Sequence, residues 1–131
     1  MKKILLVALL AVLAVGCQES LEDRAAREAR EFTEKNCPTP VDNYSRTDSV
    51  AFDRLTKTYT YYCSFVDALD NDTLVQAAQE EIRLSLRQTL TNDVAFKKIK
   101  DAGFNFAYLV RSGSRPSVIL FSDTIRPSDY Q

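Results

Sequence analysis

Cys17, Cys37 and Cys63 carry the most reactive side chains in this 131-residue chain. The chain has no histidine, which removes the commonest general base and the commonest metal ligand together. A serine or threonine nucleophile would need a lysine or a carboxylate as its base. No Ser-x-x-Lys, Gly-x-Ser-x-Gly or phosphate-loop pattern supplies one. The acids Asp67, Asp70 and Asp72 invite a calcium reading, because Asp70, Asp72 and Glu81 stand at positions one, three and twelve of an EF-hand frame. Leu74 and Val75 then fall at positions five and six, where such a loop needs an oxygen ligand and a glycine. Capping of a helix, with Asn71 or Asp70 as the cap, explains these acids better. The chain therefore reads as non-enzymatic, with no metal and no cofactor.

Met1, Lys2 and Lys3 precede an unbroken apolar run over residues 4–15, which leads into Leu13-Ala14-Val15-Gly16-Cys17. As a helix this run would extend about 18 Å, short of a bilayer core of roughly 30 Å. A basic start, an apolar middle and a small-residue ending define a secretory signal peptide over residues 1–16. The segment also resembles the signals of bacterial lipoproteins of the Gram-negative type, whose lipobox ends in Gly-Cys. Ala14 stands where that family usually has leucine, with Leu13 one place earlier. The resemblance implies that Cys17 becomes the acylated first residue, anchored by palmitate-like chains at about 0.8 kcal/mol per buried CH₂. A plain signal peptide would instead leave Cys17 an ordinary thiol. Gln18, rather than aspartate, after the cysteine implies sorting to the outer membrane, with the periplasmic or surface side left open. Glu19, Glu22 and Asp23 resemble a surface-export signal, and they also read as the solvated side of a helix. Loss of residues 1–16 removes Lys2 and Lys3 and no acid, taking the net charge from −1 to −3. Such a charge gives no case for a nucleic-acid partner.

With Cys17 acylated, Cys37 and Cys63 remain, in an oxidising compartment. A structural disulfide between them would close a loop of about 26 residues and stabilise the fold by roughly 3 to 3.5 kcal/mol. The alternative is a redox pair, which here lacks the Cys-x-x-Cys spacing that tunes a thiolate.

The elements that must position these groups follow from periodicity. At 45% hydrophobic and 27% charged residues, residues 21–131 suit one globular domain behind a short linker at 17–20. Residues 20–36 predict a helix capped by Ser20, with a thin stripe of Leu21, Ala25, Ala29 and Phe32. Cys37-Pro38 ends it. Residues 49–55 predict a first strand. Residues 57–66 predict a second, with Tyr59, Tyr61, Cys63 and Phe65 on one face and Thr58, Thr60, Tyr62 and Ser64 on the other. Leu74, Ala78, Ile82, Leu86 and Leu90 predict one core helix over 72–91, from which Arg83 and Arg87 face outward. A short helix to Ala102 stops at Gly103. Strands over 104–111 and 117–123 close the pattern as a hairpin, and residues after Pro127 read as a tail. The order α-ββ-αα-ββ predicts an α+β domain: an antiparallel sheet of about four strands, in two hairpins, with helices on one face.

The functional reading is a small lipid-anchored envelope protein that acts as a binding or scaffolding module toward an envelope protein. Its expected surface is the sheet face carrying Tyr62, since tyrosine gives contact area at low entropy cost. The loop with Ser112, Gly113 and Arg115 is the second part of that expectation. Tyr62 also reads simply as a phenol lying over a half-covered sheet. Assembly chaperones of the pilotin kind, also small disulfide-bearing lipoproteins, offer an analogy without a matching motif. The alternatives are an envelope enzyme acting on cell-wall or lipid substrates, and a small-ligand binder with a cavity between helices and sheet.

Overall fold

The computed structural model describes residues 19–130. The expected signal peptide, the lipidation site Cys17 and Gln18 lie outside the described residues. Four strands form one sheet in the order β1 (Ser45–Asp53), β2 (Thr58–Phe65), β3 (Asn105–Ser112) and β4 (Ile119–Ile125). Five helices accompany them: α1 (Leu21–Asn36), α2 (Asp72–Ala77), α3 (Gln79–Asn92), α4 (Lys97–Asp101) and α5 (Pro127–Tyr130). The α+β class matches the sequence reading, and so does the element order apart from a split core helix and an added C-terminal helix.

The sheet is mixed, which corrects the purely antiparallel expectation. β1–β2 and β3–β4 are antiparallel, whereas β2 and β3 run parallel, with Tyr59 opposite Phe106 and Tyr61 opposite Tyr108. The cause is the long helical connection between β2 and β3. It carries the chain back to the start of the sheet, as a parallel pair requires.

The aromatic faces of β2 and β3 line the core together, as expected. Phe104, Phe106 and Ile125 are fully buried with Val50, Tyr59 and Leu90, under Ala25 and Ala29 of α1. Val75 of α2 joins Phe65, Val110 and Phe121 in a second cluster. The caps also follow the sequence. Ser20 Oγ accepts from the Asp23 amide at 3.1 Å, and Asn71 Oδ1 accepts from the Leu74 amide at 3.0 Å. Gly103 ends α4 at φ 77°, a conformation that favours glycine.

Three elements depart from expectation. The core helix bends at Ala78 (φ −95°, ψ 7°), which separates α2 from α3 and lets Val75 enter the second cluster. β1 begins at Ser45 rather than Ser49, because a register shift at Asp48 breaks the alternation that would have revealed it. The tail forms α5. Its Tyr130 hydroxyl donates to the Phe104 carbonyl at 2.6 Å and ties the end of the chain to the core.

Both sheet edges are protected. On β1, the Val50 amide donates to Thr33 Oγ1 at 2.9 Å, and that hydroxyl donates to the Val50 carbonyl at 2.9 Å. Thr39 does the same for Thr47, its amide donating to the Thr47 carbonyl and its Oγ1 accepting from the Thr47 amide, each at 2.9 Å. On β4, a register shift and the inward-facing Asp123 discourage pairing.

Candidate functional site

Tyr62 stands on the sheet face opposite the helices and is 37% exposed. In register it lies between Ser49 of β1 and Leu109 of β3, and Leu109 pairs with Ser122 of β4. A shallow cleft of about 530 Å³ runs here, lined by Thr60, Tyr62, Leu109, Ser122, Thr124 and Arg126 among others. It is a hydroxyl-rich surface with Arg87, Arg126 and Asp123 also in its lining.

Ser112, Gly113 and Arg115 do not join Tyr62. Ser112 pairs with Phe65 on the helix side of the sheet and is fully buried. Its hydroxyl donates to Asp70 Oδ1 at 2.5 Å, and Ser114 donates to Asp70 Oδ2 from its amide (3.0 Å) and its hydroxyl (2.5 Å). These donors hold the Asp70 carboxyl below its usual range. Gly113 presses on Val66 and donates its amide to the Phe65 carbonyl at 2.9 Å. Arg115 pairs with Asp72 at 2.7 Å. The loop thus spends its polar groups on the entrance to α2, where it engages Asp70 and Asp72, two of the acids that invited a calcium reading.

Sequence reasoning turned Arg83 and Arg87 outward. Instead both reach Asp123, whose side chain is only 11% exposed, at 3.4 and 3.8 Å. Arg87 also approaches Asp129 at 3.7 Å. An inward acid on β4 broke the strand's apolar pattern, and its two arginine partners on α3 were the available signal.

A second concavity lies on the helix side, between α1 and the turn at Phe96. Phe32, Val50, Tyr59, Tyr61 and Phe96 line a groove of about 390 Å³, with Glu28 at its rim. Glu28 also borders a smaller recess of about 270 Å³ that follows α1 back to Leu21, between Ala25 and Ile99. The rings of Tyr61 and Tyr108 stack at 5.0 Å, and Tyr59 leans on Tyr61 at 5.6 Å. Among the described residues, none of these three phenol hydroxyls has a hydrogen-bond partner. Burial pushes the Tyr108 phenol up to about 12, and burial with its two tyrosine neighbours pushes Tyr61 higher still. Sequence periodicity assigned Tyr59 and Tyr61 to the core face. It gave no sign that α1 leaves part of that face uncovered.

Cys37 and Cys63 are half-buried and unbonded in the structure. Thr47, opposite Cys63 in the β1–β2 ladder, places its hydroxyl 3.9 Å from the Cys63 sulfur. Burial, then the nearby Asp48 carboxylate, raises the Cys37 thiol above its ordinary value, and burial leads the rise at Cys63.

Among the described residues, no helix is long and apolar enough to cross a membrane. Two solved structures share the fold. One is a protein of Pseudomonas aeruginosa described as secreted, with a TM-score of 0.66 and 7% identity, over 87% of this chain and 100% of that one. The other is the pilotin EpsS of the Vibrio vulnificus type 2 secretion system, with a TM-score of 0.65 and 12% identity, over 85% of this chain and 92% of that one. No curated protein matches the chain by sequence. A family model does match, over residues 20–121, and by that match the chain belongs to DUF8479, a domain of unknown function.

Proposed function

We propose that this chain is a lipid-anchored, non-enzymatic envelope protein that holds another envelope protein, in the manner of a secretion-system pilotin. The carrying observation is the groove beside Tyr61. It is an apolar, aromatic concavity that holds two phenol hydroxyls, those of Tyr59 and Tyr61, without partners among the described residues. Such a lining buries an apolar segment and still offers hydrogen bonds that fix its orientation. The fold shared with the Vibrio vulnificus pilotin supports the reading, as does the lipobox-like Leu13–Cys17 sequence. The hydroxyl-rich face at Tyr62 is the competing surface.

Photocrosslinking in native membranes tests both. A benzoylphenylalanine placed at Phe32 should capture one defined envelope protein, and Tyr61→Ser should abolish that adduct. An adduct from the Tyr62 position instead, insensitive to Tyr61→Ser, moves the site to the open face. No adduct from either position refutes the docking role. Metabolic labelling with palmitate tests the anchor separately: the wild type should take up label and Cys17→Ala should not.

A further inference from the structure

We infer that Cys37 and Cys63 join in a disulfide that staples the C-terminal end of α1 to the second strand. The inference is independent of the docking role. Three sets of contacts bring the two residues to one place. First, Cys37 is the C-cap of α1, and its amide donates to the Thr33 carbonyl at 3.2 Å. Thr33 is itself clasped to Val50 of β1, so the end of the helix is fixed to that edge. Second, two residues further on, Thr39 brackets Thr47 with a pair of hydrogen bonds, so the segment after Cys37 runs along the outside of β1. Third, Thr47 is the residue directly opposite Cys63, and opposed residues in an antiparallel ladder lie about 4.5 to 5.5 Å apart at Cα. Both sulfurs also lie within electrostatic reach of Asp48, and the Cys63 thiol feels Cys37 itself.

The chemistry fits a permanent staple better than a redox-cycling pair. A cycling pair needs a depressed thiol pKa, and here burial and Asp48 act in the opposite direction. Closure forms one S–S bond and releases two protons and two electrons. The electron acceptor is a second disulfide, small-molecule or protein-borne, which is cleaved to two thiols as its S–S bond takes up those electrons. The intermediate is a mixed disulfide on one cysteine, displaced by the other.

The test uses the full chain, exported through its own signal and extracted from membranes in detergent without reductant. Free thiols are trapped with N-ethylmaleimide under denaturing conditions. Cys37 and Cys63 should take no label, and a non-reduced digest should give one cross-linked peptide containing both. After reduction each should take one label, and the melting temperature of the wild type should fall by roughly 10–15 °C. Reoxidation with oxidised glutathione should restore the bridge, converting one glutathione disulfide to two thiols. Cys63→Ser should expose Cys37 to the reagent. If that variant does not fold, the reduced wild type gives the same comparison of melts. Labelling of both cysteines without reduction would overturn the inference, as would a stable glutathione adduct that never resolves. The peptide map keeps Cys17 separate, so a failed lipid anchor is not mistaken for a failed bridge.

Discussion

Thr33→Val isolates the clasp between α1 and the sheet. Valine keeps the shape of threonine and removes only the hydroxyl. In the wild type that hydroxyl satisfies both the amide and the carbonyl of Val50, at 2.9 Å each. Neither group has another strand to turn to, because β1 is the edge of the sheet. Each neutral hydrogen bond contributes about 0.5–1.5 kcal/mol net, and a buried backbone group left without a partner costs about 1–3 kcal/mol. The site is part-buried under α1, so the expected loss is about 2–3 kcal/mol. Unfolding entropy is about 2.1 cal/mol/K per residue, so for a domain of roughly 110 residues this loss lowers Tm by about 10 °C. Calorimetry on wild type and variant, held in the same cysteine redox state, measures it. Native-state hydrogen exchange should show the Val50 amide losing protection ahead of its neighbours on β1. Thr33→Ser, which keeps the hydroxyl, should recover most of the stability. A Thr33→Val melt within about 2 °C of wild type, or equal losses for Ser and Val, would refute the clasp.

Alkaline stability follows from the tyrosine stack. With its phenol pushed up to about 12, Tyr108 stays protonated in the native state while the unfolded chain ionises near 10. Stability should therefore fall as pH rises from about 10 to 12, by about 2 kcal/mol from this residue, with Tyr61 adding in the same direction. Urea melts of wild type and Tyr108→Phe at pH 9 and 11 should show the loss shrinking in the variant, and equal slopes would contradict it. Gly113→Ala places a methyl 2.8 Å from Val66 Cγ1 and 3.0 Å from the Phe65 carbonyl oxygen. Because that oxygen is backbone and already accepts the residue's own amide, the neighbour cannot give way cheaply. Denaturant melts should show a loss of about 1–3 kcal/mol, and an unchanged midpoint would mean the loop is looser than its contacts imply.

What was legible in the sequence was local. Alternation in β2 and β3 put Tyr59, Tyr61, Phe106 and Tyr108 on one face, and short-range chemistry named Ser20, Asn71 or Asp70, and Gly103 as helix ends, of which Asn71 proved to be the cap. Strand direction was not legible, because alternation reads the same in parallel and antiparallel pairs. The direction is decided by where the helical connection returns. The bend at Ala78 has no glycine or proline to announce it, and Val75 lies buried in the second cluster on the turn before it. Ser112 looked like a loop-tip hydroxyl because nothing in the sequence links it to Asp70, 42 positions away. Arg83 and Arg87 looked solvent-bound for the same reason, since their partner sits on the last strand.

The groove itself follows from how thin the buried face of α1 is. Its fully buried residues are both alanines, Ala25 and Ala29, and small side chains let the helix come close enough for Thr33 to reach the backbone of β1. A helix held against an edge strand in this way shields that edge but cannot also cover the middle of the sheet. α3, tied to β4 through Arg83, Arg87 and Asp123, stands at the other side. The strip between them, over Tyr59 and Tyr61, is left to Phe32 and Phe96, and Phe32 remains 41% exposed. The opening is thus the consequence of two anchored helices. A Cys37–Cys63 bridge would fix the α1 wall at the end next to Phe32, five residues away along the chain. The same thin apolar stripe that the sequence shows on α1 is what allows the helix to seal an edge and leave a groove beside it.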